Sequence, residues 1–172
     1  MTGDARIGLA MVDDVPAMQR VEVEAGQRFV EVGLGSIAAD PPPPADALLE
    51  HVATSTAWVA RDPSGDVVGY AVASVVDGAG HLDQVSVRPE HGGAGIGAAL
   101  IEAVCRWAAS EGFDAVTLTT FREVAWNGPY YERRGFRPLT DDELGPGLRA
   151  IRSHEAAVGL DVAPRLAMRR EL

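Results

Sequence analysis

The chain contains no lysine; all fifteen of its basic residues are arginine. A P-loop needs a lysine to reach the phosphates of a bound nucleotide, so that chemistry is excluded. Cysteine is nearly absent too. Cys105 stands alone, which rules out an internal disulfide, and its place on the apolar side of a helical stretch marks a buried structural thiol rather than a nucleophile. No apolar run approaches the roughly 18 residues of a membrane helix, and no basic-then-apolar signal pattern is found. A cytoplasmic protein without a membrane partner is expected. Positive charge is scarce: the net charge of −10 opposes binding to nucleic acid or anionic lipid and suits a cationic acceptor.

What is present suits one enzyme-sized domain spanning 1–172. At 172 residues, 47% hydrophobic and 23% charged, the chain can bury a full core. The pattern predicts a strand over Arg6 to Val12, then a helix capped by Asp13 or Asp14, with Pro16 in its first turn, running towards Gly33. Gly33 to Pro44, with four consecutive prolines, is expected to be irregular ahead of a helix over Ala45 to Ala53. Thr56 to Arg61 and Val67 to Val76 flank Asp62-Pro63-Ser64-Gly65-Asp66, a hairpin signal. A strand over His81 to Val87, a helix over Gly97 to Glu111 and a strand over Ala115 to Thr120 follow. A short helix opening at Asn127, a helix over Asp142 to Ala157 and a strand over Arg165 to Arg170 complete the order.

Between His81–Val87 and the following helix lies Arg88-Pro89-Glu90-His91-Gly92-Gly93-Ala94-Gly95-Ile96-Gly97, with four glycines in six residues. Glycines admit positive φ and let successive N–H groups converge on an anion, and a helix N-terminus adds about half a positive charge. A pyrophosphate is the natural ligand. The dinucleotide fingerprint Gly-x-Gly-x-x-Gly is not met, because the close pair Gly95-x-Gly97 comes last, and the next strand carries no acidic residue for a ribose.

This strand, loop and helix resemble those of the Gcn5-related N-acetyltransferase (GNAT) family. Its hallmark loop, Q/R-x-x-G-x-G/A, is matched by Gly92-Gly93-Ala94-Gly95-Ile96-Gly97 at both glycines and departs at the first position, where Gly92 replaces Gln or Arg. Tyr130-Tyr131-Glu132-Arg133-Arg134-Gly135-Phe136 is similar to the family's F/Y-Y-E-x-x-G-F stretch. The resemblance implies an α/β (α+β) fold, with a mixed, mostly antiparallel sheet flanked by helices, and acetyl-coenzyme A as co-substrate without a metal. It also implies that Val85, Ser86 and Val87 offer main-chain hydrogen bonds to the pantetheine arm, and that Gly92, Gly93, Ala94, Gly95, Ile96 and Gly97 hold the pyrophosphate. An oxyanion donor is expected within Gln84 to Val87. The family's asparagine, commonly seven residues before the motif tyrosine, falls on Val124; Asn127 is the candidate to contact the cofactor or to cap its helix.

Acylation of an amine requires a neutral nitrogen, and deprotonating an alkylammonium at neutral pH costs roughly 4 to 5 kcal/mol. His81 and Asp83 are the candidate bases, since alternate strand residues point the same way. His81 lies where histone acetyltransferases of the family hold a catalytic glutamate, and in the arylalkylamine acetyltransferases both positions are histidine. The alternative is that His81 begins a strand at a wet edge and Asp83 pairs with an arginine. Tyr131 matches the family's proton donor to the departing thiolate, and Tyr130 is expected in the core. Trp126 is expected either to wall the pantetheine or to fill the core.

The leading expectation is transfer of acetyl to a primary amine of a small molecule, such as an amine, a polyamine or an amine-bearing antibiotic, through a ternary complex. A protein N-terminal or lysine acetyltransferase and a non-catalytic coenzyme A-binding module are the alternatives. The acceptor pocket is expected from residues 22 to 44. There Glu22, Glu24 and Arg28 either line the pocket or, as the favoured reading, form a solvated helix face; a first-helix glutamate or water remains open as the base, and a homodimer remains open as the assembly.

Overall fold

The computed structural model describes residues 5–172. Its strands are β1 (Arg6–Leu9), β2 (Ala57–Arg61), β3 (Val67–Val76), β4 (Ala79–Val87), β5 (Ala115–Phe121), β6 (Arg137–Pro138) and β7 (Arg165–Glu171). They form one sheet in the order β1-β2-β3-β4-β5-β7-β6. The helices are α1 (Val15–Gly26), α2 (Gly35–Ala38), α3 (Ala45–Ala53), α4 (Ile96–Ser110), α5 (Gly128–Glu132) and α6 (Pro146–Ala157). A mixed, mostly antiparallel sheet flanked by helices is therefore the fold class. By its contacts the chain divides into two units, one made of the described residues of Met1–Ala73 with Leu82–Val104, the other of Ser74–His81 with Cys105–Leu172.

In the first unit β2 pairs antiparallel with both β1 and β3. Met18 and Val21 of α1 and Leu48 of α3 bury their side chains with Val59, Tyr70 and Val72, all at 4% exposure or less. Gly69 marks a close approach: a Cβ there would meet the Ser86 carbonyl at 3.1 Å and Leu100 Cδ1 at 3.2 Å. The start of α4 can thus lie directly on β3. The Asp62–Asp66 turn is closed by Asp62 Oδ1, which accepts from the Ser64 and Asp66 amides at 2.9 and 3.0 Å.

In the second unit the parallel ladder of β4 on β5 comprises Gly80↔Val116 and His81↔Thr117 and ends there. β5 then pairs with β7 over its whole length, antiparallel, and the short β6 adds to β7. Gly80 admits α4, since a Cβ there would stand 2.9 Å from the Ala108 Cβ. Cys105 is buried. The β3–β4 hairpin turns through Asp77 and Gly78, both left-handed (φ 51° and 74°). The Asp77 carboxylate accepts the Gly147 and Leu148 amides at 2.7 and 2.9 Å, capping the first turn of α6.

Several expectations need correction. The first strand stops at Leu9 rather than Val12, because Val12–Asp14 forms a 3-10 turn. Asp14 gives α1 no side-chain cap; its carboxylate instead accepts the Met11 amide and pairs with Arg61 at 2.7 Å. The helix continues past Gly26 only as a 3-10 stretch over Gln27–Val32. The Gly33 to Pro44 segment, expected to be irregular, contains the single-turn α2. The helix expected over Asp142 to Ala157 is a 3-10 turn over Asp141–Glu143 and a separate α6, because Pro146 cannot supply an interior N–H and begins a new helix instead.

Candidate active site

β4 delivers the chain into the glycine turn. After Val87, the Arg88 amide still bonds to the Val68 carbonyl at 2.8 Å, and Pro89–His91 makes one 3-10 turn. Arg88 is held at both sides, by Glu24 at 2.7 Å and Glu90 at 2.8 Å. Gly93 and Gly95 then take left-handed φ of 77° and 80°, while Ile96 and Gly97 already belong to α4. A Cβ at Gly93 or Gly95 would meet nothing within 4 Å, so backbone conformation demands glycine there and the space beside the loop is open. The first amides of a helix lack intrahelical partners. Open space, two left-handed turns and the start of a 15-residue helix fit the pyrophosphate of a coenzyme A. Position 92 has its own reason to depart from Gln or Arg: a Cβ on Gly92 would press on the Pro89 carbonyl at 3.1 Å.

The cradle, Asp83, Val85, Ser86 and Val87 lie in the first unit, and His81, Asn127 and Tyr131 in the second. Ser86 is buried, Val85 and Val87 are half-buried, and Asp83 is exposed. His81 is buried at 3% exposure, its Nδ1 2.8 Å from Thr117 Oγ1. The wet strand edge considered for it is thereby excluded, since β4 begins two residues earlier at Ala79. Tyr131 is also buried and packs edge-on against Phe136, with ring centroids 5.8 Å apart. Tyr130, expected in the core, is only half-buried and carries the Arg134 guanidinium 5.1 Å from its ring centroid. Asn127 provides no side-chain cap to α5; its amide donates to the Trp126 carbonyl at 3.0 Å, and Trp126 itself is half-buried.

The favoured reading of Glu22, Glu24 and Arg28 as a solvated face is overturned for Glu22 alone; the Glu24 side chain is 41% exposed and Arg28 is exposed. Glu24 is committed to Arg88. Glu22 is half-buried under β3 and β4, where its Oε2 accepts Tyr70 Oη at 2.8 Å and Ser86 Oγ at 2.6 Å, and its Oε1 accepts Gln84 Nε2 at 2.7 Å. Burial, then the Glu22 charge and hydrogen bond, push the Tyr70 phenol well above its ordinary value, so it remains a donor. A sequence signal existed: Gln84 and Ser86 put two polar groups on one face of a strand, and a buried polar pair demands a partner. Near α1 a polar cavity of about 390 Å³ is lined by Arg20, Arg61, Arg88, Asp14, Glu24 and Asp66, and two of its arginines are spent on its own carboxylates.

Among the described residues no cluster of three or more His, Cys, Asp or Glu could hold a metal, and no helix is long and apolar enough to cross a membrane. Solved structures share the fold. An acetyltransferase from Staphylococcus aureus aligns with a TM-score of 0.75 at 14% identity, over 98% of this chain and 99% of that one. Rv2747 of Mycobacterium tuberculosis, solved with coenzyme A, gives 0.69 at 23% identity over 97% and 99%. N-acetylglutamate synthase of Neisseria gonorrhoeae, complexed with coenzyme A and N-acetyl-glutamate, gives 0.70 at 18% identity over 99% of this chain and 35% of that one, so this chain spans about a third of its length. With residues 27–136, which hold the glycine cradle and the Tyr131 motif, matching the model of the acetyltransferase (GNAT) family, the chain belongs to that family.

Proposed function

We propose that the protein moves an acetyl group from acetyl-coenzyme A to a primary amine of a small molecule, directly, within a ternary complex. The observation that carries this reading is the cradle at Gly93 and Gly95, left-handed and open, between β4 and the first turn of α4. Coenzyme A in the complexes of the Mycobacterium and Neisseria proteins supports it. Acetyl-coenzyme A, when bound, supplies an activated thioester. The loop amides of Gly92 to Gly97 bind its pyrophosphate. Main-chain groups of Val85, Ser86 and Val87, beyond the end of the β4–β5 ladder, receive the pantetheine amides as an added strand would be received, and Asn127 contacts the same ligand. An N–H within Gln84 to Val87 faces the thioester oxygen.

His81 takes the proton of the acceptor's ammonium, with Thr117 at Nδ1 fixing the ring's orientation. Asp83, on the same strand, is the second candidate. Tyr131 gives a proton to the sulfur as the new C–N bond replaces the C–S bond, and the second proton shed by the nitrogen returns through solvent to restore the Tyr131 phenol.

A thiol-release screen across amines, amino acids, aminoglycosides and peptides, followed by product mass, tests the reading. An acetylated small amine is the expected product; turnover only on peptides, or coenzyme A binding without turnover, overturns it. Tyr131→Phe is expected to lower kcat by about ten- to a thousandfold with coenzyme A affinity nearly unchanged, since only the hydroxyl is lost. His81→Ala is expected to remove the acidic limb of the kcat/KM profile.

A further inference from the structure

Among the described residues Glu22 is a carboxylate without a counter-ion, and none of its contacts there is an ion pair: its three donors, Tyr70, Gln84 and Ser86, are all neutral. An ionised carboxylate has about four acceptor positions. Two donors fill Oε2 and one fills half of Oε1, so one acceptor position on Oε1 is left over. A half-buried charge held only by neutral dipoles keeps its field, because dipoles orient and solvate it without cancelling it. The donors are also well anchored. Tyr70 is fully buried, with a phenol that burial and Glu22 keep protonated, and Ser86 is buried on the strand that runs directly into the cradle.

We infer that Glu22 seats a positive charge of the acceptor, and that the acceptor is consequently an alkylamine of net positive charge rather than an amino acid. This rests on the acetyltransferase reading above and names the substrate class for it. An amino acid such as glutamate brings carboxylates that Glu22 repels. The guanidiniums of Arg61 and Arg88, in the cavity beside α1, are already engaged by Asp14 and by Glu24 and Glu90. A protonated alkylamine supplies both the missing counter-charge and an N–H for the open position on Oε1. The protein's net charge of −10 favours the same class at long range.

The test uses the full chain saturated with coenzyme A and three probes: 1,4-diaminobutane, the uncharged 1,4-butanediol of the same length, and glutamate. Calorimetry on the wild-type protein should show the diamine binding more tightly than either other probe by about tenfold or more, the range for a charged hydrogen bond. In Glu22→Gln that preference should fall to within about threefold, while coenzyme A affinity stays within about twofold because the cradle is untouched. If Glu22→Gln fails to melt cooperatively, Glu22→Asp, which keeps the charge but withdraws it by one methylene, should show a reduced preference instead. The inference is overturned if wild-type protein binds the diol or glutamate as tightly as the diamine, or if a folded Glu22→Gln keeps the preference. Thiol release with glutamate as acceptor would remove the Glu22 seat and leave the acetyltransferase reading standing; absence of coenzyme A binding would remove both.

Discussion

Two carboxylates, one in each unit, accept three side-chain partners apiece and behave as opposites. Glu22 receives a phenol, an amide and a hydroxyl. Glu155, in α6, receives the Thr119 hydroxyl at 2.9 Å and two guanidiniums, Arg152 at 3.0 Å and Arg165 at 2.6 Å. Glu155 and Arg165 are both nearly sealed, with side chains 9% and 10% exposed, and Arg165 lies 4.5 Å from the centroid of the Phe121 ring. Charge is cancelled where α6 is fastened to β5 and β7. It is left uncancelled beside the strand that leads to the cradle. Counting hydrogen bonds would rank the two sites equal; counting charges separates a fastener from a receptor.

The largest expected effect strikes the fastener. Glu155→Ala leaves Arg165 buried without its partner and should lower stability by about 3 to 5 kcal/mol in denaturant melts, with coenzyme A affinity of the folded fraction unchanged. Glu22→Ala orphans only neutral donors and should cost less, about 1 to 3 kcal/mol. Equal losses would erase the distinction. The next effect falls on the cradle, where Gly95→Val forces a β-branched residue into a left-handed conformation. It should weaken coenzyme A by about tenfold or more, read by calorimetry, against a folding cost of about 1 to 2 kcal/mol. Equal loss in both would make the loop a mere turn.

The smallest effect is at Tyr70, where removing the hydroxyl in Tyr70→Phe should cost about 0.5 to 1.5 kcal/mol. Its pH dependence sharpens the contrast. The folded phenol titrates well above the unfolded one, so its stabilisation is complete below about pH 10 and is lost as pH climbs from there towards the folded value. Tyr70→Phe should therefore lose less stability than wild type between mildly and strongly alkaline pH, measured by urea melts. An identical alkaline limb in the two proteins would show that neither burial nor Glu22 raises the Tyr70 phenol.

The elements legible in sequence were those whose signals are local. The hairpin around Asp62–Asp66, the strand into the glycine turn and the helix after it are written in alternation, turn residues and helical spacing, and the structure moves their ends by a residue or two. α2 was not legible because four residues cannot show a period, and its helical turn is closed by bonds such as Ala38 N to Leu34 O that no propensity announces. β6, at two residues, exists only through β7. At the site, the left-handed glycine turn was legible because glycine reports backbone geometry directly. Glu22 was not, because charged residues at helical spacing look solvated until the strands beneath them are known.

Asp77 sets a rule about which substitutions the hairpin can absorb. Its backbone must be left-handed and its carboxylate must reach two amides of α6. Glycine meets only the first demand, glutamate only something like the second, and asparagine meets the first while offering a single acceptor oxygen. The constraint extends across the chain, because a Cβ on Gly145 or Gly147 would stand 2.6 or 2.8 Å from that same carboxylate. Asp77 is therefore tied to two positions distant from it in sequence: a side chain can enter at Gly145 or Gly147 only if Asp77 gives way, and Asp77 cannot give way without uncapping the helix.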